Sequence, residues 1–346
     1  MSKKISIQQH WQDEESPVLI DVRTPAEYAK GHIPGAVNLP LFTDEERVVV
    51  GTTYKKKSPE KALLEGLDFV GPKMSGFIRQ AKSMAPNKKV TVHCWRGGKR
   101  SFSLAWLLGI AGFEVQTLEG GYKAYRSEVL IGFETIKQKI LVLGGRTGCG
   151  KTAILKELAH LEEQVIDLEG MANHKGSAFG WIGEEEQPSV EQFENDLFEL
   201  WRKFDQTKRL WVENESKNIG SVWLPQQFWD QLKAAPLINI DLPHEERIEI
   251  LVEMYGGYDS SLLITAFEKI KKRLGGQHLT AALEHLEAND IGAAAGIALA
   301  YYDKSYQRLL EKNLAPNILM LKFEGKSAGE IAKELSDRTY ESMFNA

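Results

Sequence analysis

The chain has 346 residues, 42% of them hydrophobic and 26% charged, with a formal net charge of −5. That length and apolar content can bury a large core in about two domains, and the negative balance excludes a generally basic nucleic-acid coat. Cys94 and Cys149 are its only cysteines, which excludes a disulfide framework and implies a reducing compartment. No apolar run approaches membrane-spanning length, and the polar start Met1-Ser2-Lys3-Lys4 is no targeting segment. A soluble, cytoplasmic protein without a membrane partner is expected.

Residues 18–22 read as a short apolar strand, and Thr24-Pro25-Ala26-Glu27 as the N-cap, first-turn proline and early acid of a helix. His32-Ile33-Pro34-Gly35-Ala36 is a turn into a second strand, followed by a polar excursion through residues 43–66 and a helix near 69–83. A strand over 90–93, an apolar helix over 101–111 and a strand over 115–118 complete a βαβ alternation, which predicts a parallel sheet. The turn Cys94-Trp95-Arg96-Gly97-Gly98-Lys99-Arg100-Ser101 then lies at a strand's carboxyl end, where open α/β sheets place ligand sites. Its glycines let successive N–H groups converge on one centre, and Arg96, Lys99 and Arg100 add positive charge. Together they predict an anion-binding loop around a reactive Cys94 thiolate.

Past a mixed connector, the strand at residues 140–143 runs into Gly145-Arg146-Thr147-Gly148-Cys149-Gly150-Lys151-Thr152 and a helical run over 153–161. This fills every fixed position of a phosphate-binding P-loop in its proper strand-to-helix setting. Amides would wrap a diphosphate, Lys151 would contact its oxygens and Thr152 would ligate Mg²⁺, while Cys149 fills a variable slot as a passive small residue. Glu213 or Glu215, after a strand at 210–212, stands where nucleotide hydrolases often place a metal-binding acid. Asp167 and Glu169 follow another strand, and the glycine-bearing loop at 173–180 offers His174 and Lys175 as further active-site candidates. From residue 243 the pattern is mostly helical, with a returning strand at 318–321 and a helix at 328–335. Any RNA would be held by local clusters such as Lys55-Lys56-Lys57 or Lys269, Lys271, Lys272 and Arg273.

Asp21-Val22-Arg23-Thr24-Pro25-Ala26-Glu27-Tyr28, the 32–36 turn, the Cys94 loop and Leu118-Glu119-Gly120-Gly121-Tyr122 together resemble a rhodanese domain. The resemblance implies that Cys94 is a nucleophile that carries a chalcogen as persulfide or perselenide, and that Asp21 and Arg23 are structural. One departure stands out: five residues, not the usual four, separate cysteine from arginine. The loop therefore also resembles those of related phosphatases and would suit a tetrahedral phosphate-like anion. A rhodanese-like domain (1–128), a linker (129–138) and a P-loop NTPase-like α/β domain with a helical extension (139–346) are expected.

That order, with Asp167-Leu168-Glu169-Gly170, the 173–180 loop and Val212-Glu213-Asn214-Glu215-Ser216, resembles the tRNA 2-selenouridine synthase family. The resemblance implies exchange of sulfur for selenium in 2-thiouridine at the tRNA wobble position. It also implies selenophosphate and geranyl diphosphate as substrates and an S-geranyl intermediate. Residues 95–100 would then bind selenophosphate and residues 145–152 the prenyl diphosphate. The competing readings are a sulfurtransferase or phosphatase fused to an ATP-dependent kinase, and a non-catalytic tRNA or nucleotide sensor.

Overall fold

Runs such as Lys89–His93 and Lys139–Gly145, buried on both faces, are strands covered on either side. They are the central strands of two parallel sheets in the computed structural model, which describes residues 2–15, 17–311 and 317–344. The chain divides into two units, Met1–Gly132 with Glu194–Glu199, and Phe133–Phe193 with Leu200–Ala346.

In the first unit, β1 (Lys3–Ile5), β2 (Val18–Asp21), β3 (Val37–Asn38), β4 (Lys89–His93) and β5 (Glu114–Leu118) pair in parallel in the order β1-β5-β4-β2-β3. The sequence pattern gives no sign of β1, three residues too short for periodicity that pair with Gln116, Thr117 and Leu118 at the sheet edge. Ile20, Val22, Val90, Val92, Leu104 and Leu108 fill the core, and full burial of each such side chain contributes about 1.5–3 kcal/mol.

Residues 43–66 are helical rather than a polar excursion. Asp44–Lys56 begins with a capping box of Thr43 and Glu46, and Pro59–Val70 with a Ser58 cap and a first-turn proline; these start signals prevail over weak apolar patterning. The expected 129–138 linker is for the most part the end of the helix Gly121–Thr135. Gly132 does not break that helix but lies under Phe198, whose ring a Cβ there would meet at 2.1 Å.

The second unit carries β6 (Lys139–Gly145), β7 (Gln164–Ile166), β8 (Arg209–Glu213), the antiparallel pair β9 (Asn218–Ile219) and β10 (Val222–Trp223), β11 (Leu237–Asp241) and β12 (Ile318–Lys322). Its main sheet is parallel in the order β12-β11-β6-β8-β7, with β12 returning to the edge as its sequence predicts. The adjacency of β6, β8 and β7 brings their carboxyl ends side by side, Leu143 opposite Glu213 and Ile166 opposite Val212. Helices His244–Tyr255, Ser260–Leu274, Gly276–Glu287 and Ile291–Glu311 follow, with a core of their own around Phe179, Phe267, Ala282 and Ala298. Among the described residues no helix is long and apolar enough to cross a membrane.

Candidate active sites

Cys94 follows β4 and opens the turn to the helix Lys99–Ile110. It is 4% exposed, at the floor of the loop. Its Sγ accepts the Gly98 N–H at 3.2 Å and lies 3.4 Å from the Ser101 hydroxyl. Burial pushes the thiol up, but hydrogen bonds from the Ser101 hydroxyl and from the amides of Ser101, Arg96 and Gly98 outweigh it and hold the thiol below its ordinary value. Converging amides are the part of the expected loop that acts most strongly on the thiol, and Arg100 also feels the Cys94 charge. Arg96 and Lys99 are exposed, and Arg100 gives Nη1 and Nη2 to Glu27 at 2.6 and 3.1 Å.

The Gly120-Gly121 turn and the Cys94 loop form one structure. Gly97 has φ +64° and a Cβ there would meet the Leu118 carbonyl at 2.6 Å. The Tyr122 N–H donates to the Cys94 carbonyl and the Lys123 N–H to that of Trp95, both at 2.9 Å. The Trp95 ring is tilted against Tyr122 at 5.7 Å. Beneath, Arg23 binds Asp21 at 2.9 and 2.6 Å, donates to the Gly31 carbonyl at 2.7 Å and lies 3.8 Å over the Tyr122 ring. Both partners of this ion pair are buried, so they support the loop from below. His93, buried 3.9 Å from Asp21, is pulled down to about 4 by its burial and stays neutral.

In the second unit the turn after β6 enters the helix Lys151–His160 through Gly148 and Gly150, at φ +83° and +68°. A Cβ on Gly148 would stand 2.9 Å from the Arg247 carbonyl, so this backbone curl needs glycine. Burial pushes the Lys151 amine down, but the carboxyls of Glu213, Glu169 and Glu215 push it further up, and it is a stable cation. Thr152 Oγ1 donates to Glu169 Oε2 at 3.3 Å. Cys149 is buried, and that burial pushes its thiol up. Arg146 leans to Asp241 and Asp303, each at 3.9 Å.

Glu169, Glu213 and Glu215 bring carboxylate oxygens within 4.8 Å of one another, so Glu213 and Glu215 join the site together rather than as alternatives. Burial and repulsion from the neighbouring acids raise both Glu169 and Glu213 above the carboxylate range. Glu213 is fully buried and its Oε1 has no hydrogen-bond partner. An orphaned oxygen among acids fits a hard divalent cation such as Mg²⁺. Asp167 stands outside the cluster, accepting the Gly170 N–H at 2.8 Å and capping the short helix that carries Glu169.

The 173–180 loop closes on these acids: Gly176 has φ +65° and a Cβ there would lie 2.4 Å from Glu169 Oε1 and 2.8 Å from Glu215 Oε1. Lys175 secures the loop through the Ile182 carbonyl at 2.9 Å and Glu184 at 2.6 Å. The His174 ring fits against Gly180, where a Cβ would meet it at 2.8 Å, and burial first, then Lys269, lowers its pKa. Of the basic clusters, Lys55–Lys57, Lys269 and Lys271–Arg273 are all exposed, and Lys269 also lies 4.5 Å over the Trp181 ring.

What sequence reasoning missed is the space beside the P-loop. A cavity of about 260 Å³ runs from Lys151, Thr152 and Ser177 to apolar walls that include Leu263, Phe267 and Ala294. Its signal was in the chain: Ile291, Ala294, Ala295, Ala298, Leu299 and Tyr302 recur at helical spacing with alanine in the middle.

Residues 6–128 match the family model for a rhodanese-like domain, and residues 138–334 that for the tRNA 2-selenouridine synthase AAA domain. The chain is similar to the tRNA 2-selenouridine synthase of a Sulfurovum species, at 38% identity over 85% of this chain and 89% of that one. It is also similar to those of Hydrogenovibrio crunogenus, at 37% over 78% and 79%, and Psychromonas ingrahamii, at 33% over 85% and 88%.

Proposed function

Since this chain belongs to the tRNA 2-selenouridine synthase family, we propose that it exchanges the sulfur of wobble 2-thiouridine for selenium in two consecutive substitutions, one at each anion cradle. The observation that carries this reading is the apolar cavity opening directly off Lys151 and Thr152. A hydrocarbon chain attached to a diphosphate suits that juxtaposition of cation and apolar wall; a ribose would present hydroxyls to it.

In the first substitution the thiocarbonyl sulfur attacks C1 of geranyl diphosphate. The C–S bond forms as the C–O bond breaks, the electron pair leaves with diphosphate, and the uracil N3 proton is lost. Lys151 and the curled amides of residues 147–152 stabilise the charge on the leaving group. Bound Mg²⁺, held by Thr152 with Glu169, Glu213 and Glu215, would add Lewis-acid stabilisation of the same charge.

Geranylation turns a poor leaving group into a thiol. In the second substitution the Cys94 thiolate attacks phosphorus of selenophosphate and the P–Se bond breaks to release hydrogen selenide. Selenide adds to C2 of the base, geranyl thiolate departs and takes a proton, and water hydrolyses the phosphocysteine to phosphate and thiolate. Selenium stays at the selenide level throughout, whereas a perselenide formed from selenophosphate would require a two-electron oxidant. The amide donors around Cys94 Sγ fit this role: they favour the thiolate and would face the phosphoryl oxygens.

Incubating 2-thiouridine tRNA with geranyl diphosphate alone should yield the S-geranyl nucleoside by mass spectrometry. If the wild-type protein adds no prenyl mass to that tRNA, the reading of the P-loop is wrong.

A further inference from the structure

The cavity beside the P-loop has a graded wall. Six residues of the helix Ile291–Glu311, at positions 291, 294, 295, 298, 299 and 302, line it along one stripe. The middle of the stripe is alanine and its ends are large. At the mouth, the Tyr302 hydroxyl accepts the Ala178 N–H at 3.3 Å, next to Ser177 and the loop that covers the acids. At the far end Ile291 and Leu286 both line the cavity, and a Cβ on Gly256 would lie 3.8 Å from Ile291 Cδ1.

The helix is fixed in place by its other side. A Cβ on Gly292 or Gly296 would stand 3.7 or 3.6 Å from the Ile248 side chain, an ordinary van der Waals distance, so this flank of the helix lies directly against His244–Tyr255. The cavity wall is therefore set by side-chain size along the stripe. Four residues of helix advance about 6 Å, a step comparable to one extended isoprene unit, and one such step separates Tyr302 from Ala298 and a second separates Ala298 from Ala294.

We propose that this stripe is the chain-length gauge for the allylic diphosphate, with Ala298 beside the first isoprene unit, Ala294 beside the second, and Ile291 with Leu286 stopping the chain. The gauge rests on the reading of the P-loop as a prenyl diphosphate site. Leucine at position 294 fills the inner half of the cavity and leaves room for a five-carbon donor. Alanine at position 291 opens the end wall to a fifteen-carbon one.

The test offers full-length wild-type protein, Ala294→Leu and Ile291→Ala an equimolar mixture of dimethylallyl, geranyl and farnesyl diphosphates with 2-thiouridine tRNA, and measures the prenylated nucleosides by mass. Wild type should favour the ten-carbon donor; Ala294→Leu should shift the ratio toward five carbons, and Ile291→Ala toward fifteen, each by about tenfold or more. Folding is checked by thermal melting, and because one variant fills the cavity and the other enlarges it, either alone decides the question if its companion does not fold. A folded variant with wild-type preference would overturn the gauge and leave the P-loop reading intact. Wild-type protein that transfers none of the three donors would overturn the P-loop reading and the gauge with it.

Discussion

Gly121 and Cys94 touch through their backbones: a Cβ placed on Gly121 would lie 2.2 Å from the Cys94 carbonyl oxygen, and Gly121 has φ +59°. Both the closeness and the left-handed conformation exclude a side chain. Gly121→Ala should destabilise the first unit by about 2 kcal/mol or more, seen as a lower melting temperature. Selenation should be lost while geranylation at the other cradle continues.

Ser101→Ala removes the hydroxyl 3.4 Å from Cys94 Sγ and with it a principal cause of the lowered thiol pKa. A hydrogen bond to a charged group favours the thiolate, so without it the thiol should ionise at higher pH. The pH dependence of Cys94 alkylation by iodoacetamide measures this directly. An unchanged midpoint would mean that the backbone amides alone govern the thiolate.

His93 is fully buried and lowered to about 4 from its usual 6.5, with Asp21 and Arg23 facing it. A depressed histidine leaves the unfolded chain binding more protons than the folded one across that interval. Stability is therefore complete above pH 6.5 and falls by about 3 kcal/mol on acidification to pH 4. Asp21 is lowered below its usual 3.8, so its contribution disappears only at more acid pH. Denaturant titrations at several pH values should show the slope between pH 6.5 and 4, and His93→Gln should flatten it.

Glu213 Oε1 is buried without a hydrogen-bond partner in a cluster of three acids. Adding Mg²⁺ should raise the melting temperature of the wild-type protein, because the ion binds the folded state alone. Glu213→Gln should abolish that response. A full Mg²⁺ response in the variant would place the ion elsewhere.

Both cradles are legible in the sequence because their chemistry is local: cysteine or lysine, glycines and cations recur at fixed spacing within eight residues. Local capping signals also mark the helices at 44–56 and 59–70, but they bury only Thr53, Ala62 and Gly66 and leave Val48, Leu64 and Leu67 exposed, so their apolar residues do not mark an inward face. The meeting of Glu169, Glu213 and Glu215 depends on β7 and β8 lying beside one another, a long-range pairing that no local spacing encodes. Arg100 misleads for the same reason, since its partner Glu27 is 73 positions away. The apolar cavity needs the helices after residue 260 to be assembled, although the alanine stripe at 294, 295 and 298 announces one of its walls.

The most direct test of two separate cradles serving consecutive substitutions gives folded Lys151→Ala protein two substrates and reads the tRNA nucleosides by mass spectrometry. With 2-thiouridine tRNA and geranyl diphosphate it should form no S-geranyl product, yet with tRNA already geranylated and selenophosphate it should form 2-selenouridine at close to the wild-type rate. Geranylation by this variant, or its failure to selenate the geranylated tRNA, would contradict the division of labour.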